Sequence, residues 1–92
     1  MAKVETIDKK VINMTRELYV DGIHIKTLNC IIDSDNPVRF QKYENTVTEE
    51  NGDTTTSDKL YKENILALRQ IEKEFTNEIY SEQDKMIEQF CK

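Results

Sequence analysis

Apolar and polar positions alternate from Val11 to Ile32, which is the two-residue repeat of a strand buried on one face. The alternation is interrupted once, at Asp21-Gly22, a dipeptide suited to the positive φ angles of a tight hairpin turn. A two-residue loop there sets Val20 against Ile23, Leu18 against Ile25, Arg16 against Thr27, Met14 against Asn29 and Ile12 against Ile31. One face of this predicted hairpin is mostly apolar. The other pairs Tyr19 with His24, Glu17 with Lys26, Thr15 with Leu28, Asn13 with Cys30 and Val11 with Ile32, polar at the turn and apolar at the open end.

Asp33-Ser34-Asp35-Asn36-Pro37 is a cluster of turn formers and ends the second strand. Val38 to Val47, rich in β-branched and aromatic residues, is read as a third strand of a meander. Lys3 to Ile7 is either a fourth strand or an extension of the first. A polar connector follows, and from there to Lys92 neither glycine nor proline occurs. Over that stretch the repeat changes. Leu60, Tyr61, Ile65, Leu68, Phe75, Ile79, Met86 and Phe90 share one side when placed at 100° per residue, the pattern of an amphipathic helix, with Thr55 or Ser57 available to cap its start. The predicted fold is α+β: an antiparallel β-meander of three or four strands, followed by one long C-terminal helix. The chain is one domain, with a meander over 1–48, a connector over 49–55 and a helix over 56–91. Ser81-Glu82-Gln83-Asp84 carries a capping pattern, so a break near Ser81 is the alternative.

Length turns this pattern into an expectation about assembly. A helix of about 35 residues spans some 50 Å, whereas a compact globule of 92 residues is only about 32 Å across. The distal helix is then expected to overhang the sheet and to expose Phe75, Ile79, Met86 and Phe90 for self-association, most simply as a homodimer.

Composition narrows the function. No apolar run approaches the roughly 20 residues of a spanning helix, and the N-terminus has no secretory leader pattern, so the expected setting is the cytoplasm, with no membrane partner. Two cysteines, Cys30 and Cys91, and one histidine, His24, support neither a disulfide framework nor a zinc site. Asp33, Asp35 and Asn36 lack the spacing, glycine and distant glutamate of a calcium loop. No phosphate-binding loop, nucleophile elbow or metalloprotease motif is present, so no cofactor, metal or catalytic residue is assigned and the chain is not read as an enzyme.

Charge adds two candidates. Glu72 falls inside the apolar arc of the helix, and a buried carboxylate needs a partner; Arg16, in the middle of the apolar hairpin face, is the expected one. Residues 1–47 hold seven basic and seven acidic side chains, whereas 48–92 hold six and eleven, so the whole net charge of -5 lies in the C-terminal half. Glu74, Glu78 and Glu82, continued by Asp84 and Glu88, form an acidic ridge that helix stability alone does not favour. Such a ridge fits a basic surface on a larger protein.

The leading expectation is a non-enzymatic protein-protein interaction module, a small acidic homo-oligomeric accessory or assembly protein of bacterial or phage type. An acidic inhibitor or nucleic-acid mimic is the alternative. Weak nucleic-acid binding through Lys9, Lys10, Arg16, Lys26, Arg39 and Lys42, with Tyr19, Phe40 and Tyr43 for stacking, is a third and less favoured reading in an acidic chain.

Overall fold

A computed structural model describes residues 2–49 and 52–91. Glu50 and Asn51, within the predicted connector, lie outside the described residues. Three antiparallel strands, β1 (Val11–Val20), β2 (Ile23–Asp33) and β3 (Phe40–Thr46), form one sheet in the order β1-β2-β3. Two helices follow, α1 (Thr55–Glu63) and α2 (Ile65–Phe90). This is the predicted α+β class with a three-stranded meander. Lys3 to Ile7 joins no strand; residues 2–10 are exposed and have no regular secondary structure.

The hairpin turn forms at Asp21-Gly22, where both residues take positive φ, 50° and 80°. Register is where expectation and structure part. Tyr19 still pairs with His24, but Leu18 pairs with Lys26, so Ile25 is an extra residue bulged out of the ladder. Every later pair moves by one, to Arg16 with Leu28, Met14 with Cys30 and Ile12 with Ile32. A one-residue shift transfers a whole strand's side chains to the other face. The bulge thus carries Leu28, Cys30 and Ile32 into the core beside Leu18 and Ile25, and turns Thr27, Asn29 and Ile31 outward. Each large aliphatic side chain so buried contributes about 1.5–3 kcal/mol, which outweighs the ladder bonds lost at one irregular residue.

The helix is broken, at Asn64 rather than near Ser81. The Asn64 side-chain amide donates to the Leu60 carbonyl at 2.9 Å and its backbone N–H to the Tyr61 carbonyl at 3.2 Å, closing the last turn of α1. Ser57 anchors α1 by donating to the Val47 carbonyl at 2.7 Å. Past Ser81 the helix continues, because Ile79, Gln83 and Met86 are seated on the sheet in unbroken helical spacing, and Gln83 donates to the Pro37 carbonyl at 3.0 Å.

The expected overhang does not occur. With 26 residues α2 is about 39 Å long, and the 11 residues of β2 extend about 36 Å. Helix and sheet therefore match in length, and both exceed the width of about 32 Å expected for a compact chain of this size. Phe75, Ile79 and Met86, expected at a self-association surface, are core residues at 1%, 0% and 2% exposure, and the half-buried Phe90 packs against the same core.

Candidate interaction surface

Because α1 and α2 both lie against one face of the sheet, strand alternation sorts the side chains into two populations. Ile12, Met14, Arg16 and Leu18 of β1, Leu28, Cys30 and Ile32 of β2, and Phe40, Lys42 and Glu44 of β3 share the helix side through their ladder pairs. Asn13, Thr15, Glu17 and Tyr19, then Thr27, Asn29 and Ile31, then Gln41, Tyr43 and Asn45 share the opposite face, on which no described element packs.

On the helix side, charged groups find partners within the chain, the half-exposed ones with room for more. Glu72 is half-buried and bound, as its place in the apolar arc requires, but its partner is not Arg16. It accepts from Lys26 Nζ at 3.1 Å and from the Tyr61 hydroxyl at 2.8 Å. Lys26 also reaches Glu44 at 3.3 Å and lies 4.7 Å from the Tyr61 ring centre. Burial works to lower the Lys26 pKa, but the bonds and charges of Glu72 and Glu44 outweigh it and hold the ammonium above the ordinary lysine value. Burial, then the hydrogen bond to Glu72, raises the Tyr61 hydroxyl.

Arg16 turns instead to Glu78 at 2.6 Å, with its guanidinium 5.3 Å from the Phe75 ring centre. The reason is helical geometry. Each i+4 step advances about 40° around the axis, so Glu74, Glu78 and Glu82 do not form a straight outer ridge but wind toward the sheet. Glu78 meets Arg16, Glu82 pairs with Lys85 at 3.2 Å, and Glu74 accepts from Gln70 at 3.3 Å; Asp84 and Glu88 remain exposed.

The basic and aromatic residues of the nucleic-acid reading are not brought together. Arg16, Lys26 and Lys42 lie on the helix side, Tyr19 and Tyr43 on the open face, and Phe40 packs edge-on against Tyr80. Lys9 pairs with Asp35 at 3.8 Å.

The open face is rich in amides and hydroxyls. Thr15 donates to Asn29, and the Tyr43 hydroxyl to Gln41. The Tyr19 hydroxyl donates to Glu17, which raises its pKa, and its ring stacks on His24 at 4.9 Å. His24 Nε2 is engaged by the Thr27 hydroxyl at 2.9 Å. Near the open end, Ile31, Asp33, Asp35, Asn36, Arg39, Phe40 and Gln41 line a shallow concavity of about 580 Å³. No serine, threonine, cysteine, lysine or histidine among the described residues lines it. Among the described residues no group of three or more His, Cys, Asp or Glu side chains is placed to hold a metal ion, and no helix is long and apolar enough to cross a membrane.

The sheet edges complete this surface. β1 and β3 each pair only with β2 among the described residues, so one side of each carries ladder groups with no strand partner. β3 is the more open of the two: Phe40 is half-buried and Gln41 to Thr46 are exposed. Sequence reasoning identified β3 as a strand but not its edge position, which depends on strand order; the signal available was the Lys42-x-Glu44 alternation.

Comparison with protein-family models, with curated proteins and with solved structures finds no match to this chain.

Proposed function

We propose that the chain works without catalysis, as a small acidic protein-protein interaction module that self-associates and serves as an accessory or assembly protein in the cytoplasm. The observation that carries this reading is the one-sided sheet. Helices cover one face with a packed core, while the other face and both edges present ladder groups, amides and tyrosines to a partner. Two unpaired thiols, Cys30 and Cys91, agree with a reducing compartment. The test is the molar mass in solution by light scattering, over a dilution series from millimolar to low micromolar protein. A mass moving from monomer to dimer with concentration supports the reading; the monomer mass throughout overturns self-association.

A second reading, an acidic surface that occupies a basic patch on a larger protein, rests on Glu74, Asp84 and Glu88, which stay exposed along α2. Replacing these three with lysine should abolish retention of a polybasic peptide without altering the fold. Unchanged retention would discard it.

A further inference from the structure

We propose that two copies of this chain associate through β3, the free edges pairing antiparallel about a two-fold axis at Tyr43 to make one six-stranded sheet, β1-β2-β3-β3-β2-β1. This rests on the self-association reading above and names its surface. An exposed edge strand is a template for another strand, and proteins guard such edges with proline, bulges or charge. Between Phe40 and Thr46 there is no proline, no glycine and no bulge. There are two charges, Lys42 and Glu44, and their order decides what they do.

In an antiparallel pair, opposed residues point to the same face. A two-fold axis normal to the sheet therefore sets one residue against its own copy and keeps both helix layers on one side. With Tyr43 on the axis all seven residues of β3 are paired. On the helix side Lys42 opposes Glu44 of the partner subunit and Glu44 opposes Lys42 of the partner subunit, while Phe40 opposes Thr46. On the open face Gln41 opposes Asn45, and Tyr43 opposes itself. The neighbouring permitted registers fail: one sets Lys42 against Lys42, the other Glu44 against Glu44. Charge complementarity thus selects one register, and that register uses the whole strand.

Both side chains are accessible for it. Lys42 and Glu44 are 30% and 44% exposed, with their charged groups 3.8 Å apart. Lys42 also donates to Thr76 at 3.2 Å and Glu44 also accepts from Lys26 at 3.3 Å, so an opposed charge of the partner subunit adds to these bonds from the exposed side. β1 offers no equivalent. Of its two nine-residue registers, one opposes Arg16 to Arg16, and the other, centred on Thr15, sets Arg16 against Met14 and Glu17 against Asn13 with no unlike charges opposed.

The experiment uses Lys42→Glu, Glu44→Lys and an equimolar mixture of the two, measured by light scattering and sedimentation over the same dilution series. Each variant alone sets like charges opposite one another at two places and should weaken the dimer by about tenfold or more. The mixture sets the carboxylates of one chain against the ammonium groups of the other and should recover a heterodimer of wild-type affinity. A dimer whose affinity neither substitution changes refutes the β3 edge and leaves self-association standing; a wild type that never dimerises refutes both. A second measurement does not depend on charge reversal. In a Cys91→Ser background, Tyr43→Cys places a thiol opposite its own copy, where paired Cα atoms are about 4.5–5.5 Å apart and a disulfide closes. Rapid crosslinking at this position, against slow crosslinking of Tyr19→Cys, supports the proposal, and equal rates contradict it.

Discussion

Replacing Lys26 by methionine isolates the charged network that ties α1 and α2 to β2. Lys26 and Glu72 are 15% and 18% exposed, with 3.1 Å between their charged atoms. At that distance and an effective dielectric of about 20, the gross attraction is about 5 kcal/mol. Desolvation of the two groups offsets much of it, but removing the cation leaves Glu72 facing the core with only the Tyr61 hydroxyl bound to it. The expected loss is about 2–3 kcal/mol, below the full penalty for a deeply buried pair because both groups keep some contact with water. Glu72→Gln should cost less, about 1–2 kcal/mol, since Lys26 retains Glu44 and the amide oxygen still accepts from Tyr61. Urea and thermal unfolding followed by circular dichroism measure both, with a melting temperature lower by about 10 °C or more for Lys26→Met. The pH dependence has a definite sign. The folded Lys26 pKa is raised, so the stabilisation is present in full below the unfolded lysine value and is lost as pH rises through the folded one. Tyr61, also raised, acts in the same direction. The gap between wild type and Lys26→Met should therefore hold up to about pH 10.5 and close only above it. A variant within about 0.5 kcal/mol of wild type at neutral pH, or a gap that widens in alkali, would mean that Lys26 does not hold Glu72 in the folded chain.

Phe75→Ala should lower stability by about 3–5 kcal/mol in urea unfolding, because the ring is a core element and not an exposed self-association surface; a variant of wild-type stability would return Phe75 to the surface. Cys91 is exposed, whereas Cys30 is buried and its thiol is raised by burial, partly opposed by Lys42, so a thiol reagent should label one cysteine in the native protein and the second only on unfolding. Two rapidly labelled thiols would contradict the core assignment. Gly22→Val should destabilise the hairpin by about 1–2 kcal/mol through its positive φ alone, since open space surrounds the position; an unchanged melting temperature would place the turn elsewhere.

Local signals carried the architecture into the sequence. Asp21-Gly22 marked the turn, Pro37 the end of the second strand, and the spacing of Leu68, Phe75, Ile79 and Met86 the buried side of the helix. Register was less accessible, because the extra residue at Ile25 has no local signature: the bulge is favoured by where Leu28, Cys30 and Ile32 end up. The pairing of Glu72 followed the same rule. Its need for a cation was readable from its helical angle, but the choice of Lys26 over Arg16 depends on that register shift, which brings Lys26 to the helix side. The supposed overhang came from measuring the helix against a sphere. An eleven-residue strand under a 26-residue helix removes it.

Whether self-association runs through the sheet edge or the helix is decided by hydrogen–deuterium exchange of the wild-type chain at high and low protein concentration. Amides within Gln41 to Asn45 should exchange more slowly at high concentration, while those of α2 are unchanged. Concentration-dependent protection along Ile65–Phe90, with none in β3, would contradict association through the sheet edge.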